Sequence, residues 1–322
     1  MTLQQLRYIV ILDQERHFAN AAERCSVSQP GLTIQLKKLE EEIGLMIFDR
    51  SKVPLKPTPL GKEIVELAKR VLHDVDSIKD FVVTQKSMLT GTLTMGVVST
   101  LAPYLIPISL KAMRQALPKV KLIIREATTV ELMNKLEIGE IDVALMATPT
   151  GNSRLKEYPV FDEPFVAYLP ALHVQSQRPF YTLDPEDVNK LLILEDEYCY
   201  NSQLLNICEL KTKSSSNFLF DINSIETLKN MVKSSHGFAI IPWLAQYGQS
   251  PSDQVLSKPF EGSQPVREIS LVTSDTFSRK LLLEKLSKAI WESLPSELKN
   301  LKDYRKIRWN DSPYWAKSSK QI

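Results

Sequence analysis

Cys199 and Cys208 share the run LEDEYCYNSQLLNIC, and in a chain with only 3 cysteines these neighbouring thiols are the residues most able to do chemistry. Asn201 or Ser202 is placed to cap a helix through QLLNICEL, which puts Cys199 just ahead of a helix N-terminus and Cys208 inside the helix. The positive end of the helix dipole favours a thiolate at Cys199, the nucleophilic and readily oxidised form. Glu195, Asp196 and Glu197 oppose it. With a rise of ~1.5 Å per residue, such a helix keeps the two Cα atoms more than ~10 Å apart, whereas a disulfide tolerates ~7 Å, so a bond would require unwinding. The residues alone also fit two unremarkable cysteines, one packed at apolar spacing.

Length and composition set the class of fold that must hold this pair. A chain of 322 residues exceeds one ordinary core and predicts two or three domains, and 43% apolar with 24% charged residues indicates globular packing. The start, MTLQQLRYIVILDQERHF, has no basic region followed by an apolar stretch, and nowhere do roughly eighteen apolar residues run together. These features predict a cytoplasmic protein without a membrane partner, where thiols are kept reduced and a disulfide would be conditional. Cys25, beside Ala21 and Ala22, reads as a packed core cysteine. His17, His73, His173 and His236 have no ligand spacing, so neither metal nor cofactor is expected.

A net charge of +2 is a weak nucleic-acid footprint, and residues 1 to 60 hold eight Lys/Arg against seven Asp/Glu, so a DNA reading rests on pattern. The pattern is an apolar helix from Leu3, a short alanine-rich helix FANAAERC, a polar turn Ser26-Val27-Ser28, and a third helix from Gln29 to Ile43. Ser28 suits its N-cap, Pro30 its first turn and Gly44 its stop. Leu32, Leu36, Leu39 and Ile43 fall on one face, leaving Gln29, Gly31, Thr33, Gln35 and Lys37 to project outward. That outward set suits a recognition helix, since Gln pairs with adenine and small residues admit thymine methyls. An amphipathic helix in an ordinary bundle has the same spacing. The stretch FDRSKVPLKPTPLG then reads as a hairpin carrying Arg50, Lys52 and Lys56, a basic wing for flanking phosphates.

From Leu60 to about Met88 apolar residues recur at Ile64, Leu67, Val71, Val75, Ile78 and Val82, three and four apart. Such a helix is roughly 40 Å long and narrowly striped, so a second copy is its natural partner. A homodimer would present two recognition helices to a two-fold double-stranded DNA operator.

The segment SVSQPGLTIQLKKLEEEIG, followed by IFDRS, a threonine-containing wing and a long linker helix, resembles the LysR-type transcriptional regulators over essentially the whole chain. In the second half, LLILEDEYC and SIETLKNMV resemble the hydrogen-peroxide-sensing branch of that family. The resemblance implies a reversible Cys199–Cys208 disulfide, oxidation of Cys199 and resolution by Cys208, with Thr100 and Thr129 near the bound oxidant. It also implies tetramers and, for an activator of peroxide-stress genes, contact with RNA polymerase. Arg267, in VREISLV, lies near where the family carries an arginine.

The expected architecture is an α+β multidomain chain: a winged helix-turn-helix over 1–60, a linker and dimerisation helix over 61–90, and a regulatory domain over 91–322. LTMGVV, KLIIRE, IDVALMA and FAIIPW are short β-rich runs separated by helical segments, the pattern of a periplasmic-binding-protein-like α/β domain. Its two subdomains would be joined by crossings near Asp162 and Val266 around a cleft. Ser99-Thr100 and Thr128-Thr129 follow strands and precede helices, as cleft residues or as helix caps.

This chain departs from the peroxide-sensing pattern in having Tyr198, Asn201 and Ser202 where those relatives usually have His before the first switch cysteine and Arg-Asp after it. Tyrosine, with a pKa near ~10, is a poor proton shuttle at neutral pH, which favours slower peroxide chemistry or a different oxidant. Two other functions are compatible with the residues. One is a LysR-type regulator responding to a small metabolite, with idle cysteines; the other is a thiol peroxidase or oxidoreductase, which has no need of a helix-turn-helix. The tail DYRKIRWNDSPYWAKSSKQI, past the expected end of the domain, reads as surface covering.

Overall fold

Thr2 opens the first helix with a reciprocal cap, its hydroxyl taking the Gln5 N–H while the Gln5 side chain takes the Thr2 N–H. The computed structural model of the chain describes residues 1–52, 54–84, 89–183, 190–193, 198–208, 224–234, 237–248 and 256–308. Contacts divide it into one unit of Met1–Ser87 with 137–140 and 276–279, and a second comprising the remainder.

In the first unit, α1 (Leu3–Glu15), α2 (Phe18–Arg24) and α3 (Gln29–Ile43) precede a two-strand wing, β1 (Phe48–Asp49) and β2 (Lys56–Pro57), paired antiparallel. Ser28 caps α3 by accepting the Gly31 N–H at 3.2 Å, Pro30 sits in its first turn, and Gly44 ends it at φ 81°, a left-handed conformation that glycine adopts freely. Leu32, Leu36 and Leu39 are buried against Leu6, Ile9 and Leu12 of α1 and against Ala21 and Ala22, whose small side chains let α2 lie close. Each fully buried leucine contributes about 1.5–3 kcal/mol, so this core, rather than helix propensity, fixes the direction in which α3 presents its other face.

The long helix α4 (Pro59–Thr84) begins where Thr58 accepts the Gly61 N–H and donates to the Met46 carbonyl. Gly61 is required there, since a Cβ would stand 1.9 Å from the Ile47 carbonyl oxygen. Val65 and Ala68 pack α4 onto its own unit. Leu67 and Val71, in the stripe expected to face a partner, remain 53% and 41% exposed; the side chains of Ile78 and Val82 lie outside those described.

The second unit is a mixed sheet with strand order β4-β3-β5-β9-β6-β7. Its strands and helices run β3 (Gly91–Val98), α5 (Ala102–Ala116), β4 (Val120–Ala127), α6 (Thr129–Glu137), β5 (Val143–Thr148) and β6 (Leu155–Tyr168). There follow α7 (Tyr198–Ile207), α8 (Ile225–Ser234), β7 (Ala239–Pro242), β8 (Ser257–Lys258), β9 (Gln264–Ser274), α9 (Lys280–Ser293), α10 (Ser296–Lys299) and β10 (Tyr304–Lys306). All four β-rich runs named above fall on strands. β3 pairs parallel with β4 and β5, and β5 is buried throughout, as expected of a strand covered on both faces. β6 and β9 pair antiparallel along their length and contain Asp162 and Val266; one end of the pair is flanked by β5, the other by β7 and β8.

Two expectations require correction. α7 begins at Tyr198, so Asn201 and Ser202 are interior and buried rather than caps, Cys199 lies in the first turn, and Cys208 falls just past the last turn. The cause is tertiary: Tyr200, Leu204 and Ile207 recur on one face and bury it, which outweighs the local capping preference. The tail does more than cover the surface, because Tyr304–Lys306 pairs with Gln264–Val266 and Ile307 is buried in the core around α7. Residues 309–322 of that tail, with His236 and the Glu195–Glu197 acidic run, lie outside the described residues.

Candidate functional site

On the face of α3 turned away from its core, Gln29, Pro30 and Lys37 are exposed, while Gly31, Thr33 and Gln35 are half-buried. The Thr33 hydroxyl donates back to the Gln29 carbonyl at 3.0 Å, and Gln35 Oε1 accepts from Gln5 Nε2 at 3.3 Å, which ties Gln35 to α1. Lys37 pairs with Glu41 at 3.6 Å on the surface.

Arg50 has a structural partner that the sequence concealed. Its guanidinium meets Glu40 at 2.6 Å, and the buried Glu40 also accepts the Ile47 N–H at 2.8 Å and the Phe48 N–H at 3.3 Å. The pair fastens the wing to α3. Arg50, Lys52 and Lys56 line one shallow groove of about 550 Å³ together with Lys62, which the sequence reading missed because it lies on α4 rather than in the hairpin. Lys52 reaches its nearest carboxylate, Asp49, only at 3.8 Å.

In the second unit, the β3–α5 and β4–α6 turns are adjacent: Val98 pairs with Ala127, and the Ser99 N–H donates to the Ala127 carbonyl at 3.3 Å. Of the three threonines that could have been helix caps, Thr128 alone is one. Thr128 caps α6, exchanging hydrogen bonds with Glu131, and leaves Thr129 buried with no partner for its hydroxyl among the described residues. Thr100 instead receives Arg267, whose Nη1 donates to the Thr100 hydroxyl at 2.8 Å and whose Nη2 donates to its carbonyl at 3.2 Å.

Arg267 is 1% exposed and its charge is matched by Glu163, which is fully buried. Glu163 Oε2 accepts from Arg267 Nε at 2.9 Å, and its Oε1 accepts the Leu244 N–H at 2.9 Å, so the carboxylate is satisfied on both oxygens. Breaking such a pair leaves an uncompensated buried charge and costs about 3–5 kcal/mol. The guanidinium carbon also lies 5.9 Å from the Phe165 ring centre, and Phe165 tilts against Tyr200 of α7 at 6.2 Å. Tyr200 donates to the Ile240 carbonyl, and its burial raises its pKa. A cationic centre supported by β6 and β9 thus sits one ring away from the helix that carries the two cysteines.

Cys208 is buried, its N–H donating to the Leu204 carbonyl at 2.9 Å, and burial pushes its thiol up to about 12. It is therefore a protonated, shielded thiol. Tyr198 and Cys199 are placed in the backbone of the first helical turn, and their side chains lie outside those described. The rise along α7 puts the two cysteine Cα atoms roughly 13 Å apart. Cys25, by contrast, is half-buried against the core of the first unit, which raises its pKa by desolvation.

Known proteins bear on these surfaces. The profile of the bacterial regulatory helix-turn-helix protein, lysR family, matches residues 3–62, and that of the LysR substrate binding domain matches residues 86–294. A hydrogen peroxide-inducible genes activator of Dickeya chrysanthemi is 32% identical over 94% of this chain and 98% of its own length. The DNA-binding transcriptional dual regulator OxyR of Escherichia coli is 32% identical over 90% of this chain and 95% of its own. Among solved structures, a full-length OxyR cysteine-to-aspartate variant from Pseudomonas aeruginosa superimposes with a TM-score of 0.72 at 35% identity, covering 90% of this chain and 98% of that one.

Proposed function

The chain belongs to the LysR family of bacterial regulatory helix-turn-helix proteins, and we propose that it is a peroxide-responsive transcriptional activator switched by a reversible Cys199–Cys208 disulfide. The observation that carries this reading is the placement of Cys199 in the first turn of α7 and Cys208 just past its last, on a helix whose Tyr200 packs against Phe165, the ring that Arg267 overlies. A thiolate at the first turn of a helix is the attacking form, and a buried, protonated Cys208 resolves only when the helix opens. Thr129 supplies a buried hydroxyl free to bind a polar oxidant, and buried polar atoms of this kind are seldom left unpaired without a ligand or water.

Gln29 reaches base edges and Lys52, Lys56 and Lys62 meet phosphates, with Ser28, Pro30, Gly31, Thr33, Gln35, Lys37 and Arg50 completing or supporting the surface. The exposed stripe of α4 joins two subunits; regulatory-domain contacts pair these dimers into tetramers, and the complex recruits RNA polymerase from the cytoplasm. The protein acts by changing conformation rather than by turning over peroxide. The test is transcription from its operator in vitro, with the protein reduced or treated with peroxide. Peroxide-dependent transcription that Cys199→Ser abolishes is expected, whereas identical transcription in both states, or catalytic peroxide consumption with a thioredoxin system, overturns the reading.

A further inference from the structure

β10 is joined to β9 at both ends: the Gln264 N–H donates to the Asp303 carbonyl and the Ile307 N–H to the Val266 carbonyl, each at 2.8 Å. Lys306 pairs with Asp162 at 3.2 Å and with Glu268, and Ile307 enters the same apolar core as Cys208. From the opposite side α7 reaches this segment. Gln203 Nε2 donates to the Ile307 carbonyl at 3.3 Å, and Asn206 Nδ2 donates to the Arg308 carbonyl at 2.6 Å. Gln203 and Asn206 are three positions apart, so they face one way only while α7 is helical, and both lie between the two cysteines.

Closing the Cys199–Cys208 bond must bring Cα atoms from roughly 13 Å to within ~7 Å, which removes Gln203 and Asn206 from their common face. We propose that the C-terminal segment Asp303–Arg308 is a clamp that holds the thiol-bearing helix in its reduced form, so that seating of this strand and closure of the disulfide exclude one another. This rests on the reading of the cysteine pair as a switch given above. The Cys199 thiolate takes one oxygen of hydrogen peroxide to become a sulfenic acid, releasing hydroxide. The Cys208 thiol then displaces that oxygen as water. In sum two thiols and one peroxide give one disulfide and two waters, the sulfurs losing two electrons and the O–O bond gaining them. By linkage, the factor by which the seated strand disfavours the bond is the factor by which the bond loosens the strand.

The test uses the full-length chain carrying Cys25→Ser, equilibrated against graded ratios of oxidised to reduced dithiothreitol and read by intact mass after thiol trapping. Asn206→Ala removes one clamp bond from a side chain that is only half-buried, and a chain ending at Lys302 removes the clamp itself. Alanine favours helix, so its intrinsic effect opposes oxidation and cannot mimic the expected shift. Asn206→Ala is expected to move the midpoint toward the disulfide by roughly three- to tenfold, the worth of one hydrogen bond, and the shortened chain by more. Trypsin should cut after Arg305 or Lys306 faster in the oxidised parent than in the reduced one. A parent that forms the bond while Asn206→Ala leaves the midpoint within twofold overturns the clamp and leaves the switch intact, even if the shortened chain does not fold. A parent that forms no bond removes the switch and the clamp together.

Discussion

Arg267 donates from Nη1 to the hydroxyl of Thr100 at 2.8 Å across 167 positions of sequence, and so ties the start of β9 to the turn that follows β3. The contact gives Thr100 a role that a helix cap would not have, and the turn it anchors adjoins the one that precedes Thr129, a buried hydroxyl with no partner among the described residues.

Thr129→Val separates binding from stability. Because the Thr129 hydroxyl is buried and unpaired, removing it should leave thermal stability unchanged or raised by up to about 1 kcal/mol, while slowing oxidation of Cys199 by roughly tenfold. Stopped-flow peroxide kinetics and a melting curve on the same preparation check both halves. Loss of stability with an unchanged rate would mark Thr129 as structural.

On DNA, Lys52→Ala and Lys62→Ala should weaken binding on all sequences and each lower the salt slope by about one unit, whereas Gln29→Ala should alter preference at one base position. Arg50→Ala should also weaken binding, yet it strips the partner from one oxygen of buried Glu40 and should cost about 1–3 kcal/mol of folding stability. Operator titration at several salt concentrations, beside a urea melt, distinguishes contact from scaffold.

Leu67 and Val71 are the exposed apolar residues of α4 in the described stretch of the stripe. Introducing Asp at both places charge in the proposed seam and should yield monomers in either redox state with poor operator affinity. Analytical ultracentrifugation that still finds dimers would place the interface elsewhere.

Cys208 gives the stability a pH dependence with a defined sign. Its thiol is held up to about 12 when folded, whereas a thiol in the unfolded chain titrates near ~8.5. Between these values the unfolded state has released a proton that the folded state keeps, so stability is fully present below about pH 8.5 and falls as pH rises toward 12. Cys208→Ala should make that alkaline slope shallower by up to about 1.4 kcal/mol per pH unit. Equilibrium urea denaturation of the reduced chain from neutral pH upward measures it.

What the sequence made legible were features set by local rules. Ser28, Pro30 and Gly44 mark α3 because capping, first-turn proline and left-handed glycine act within a few residues, and the run IDVALMA stands out because a strand buried on both faces is continuously apolar. What stayed hidden was tertiary. Nothing near Arg50 points to Glu40, nor near Arg267 to Glu163, since such pairs exist only once β1 or β6 has been laid against its neighbour. The start of α7 was misplaced because burial of Tyr200 extends the helix past two good capping residues. β10 was missed because Tyr304, Arg305 and Lys306 are all exposed and carry no apolar alternation; only Ile307 touches the core.

The central claim is the reversible bond between Cys199 and Cys208, and the most direct measurement is intact mass of the full chain before and after a brief, low-dose peroxide pulse, followed by peptide mapping. The account predicts a loss of about two mass units confined to a peptide joining Cys199 to Cys208, reversed by dithiothreitol, and in Cys208→Ser a gain of about sixteen as the sulfenic acid is trapped. If Cys199 reacts no faster than a free thiol and no Cys199–Cys208 peptide forms, the redox account is contradicted, and a small-molecule ligand in the regulatory domain becomes the signal to seek.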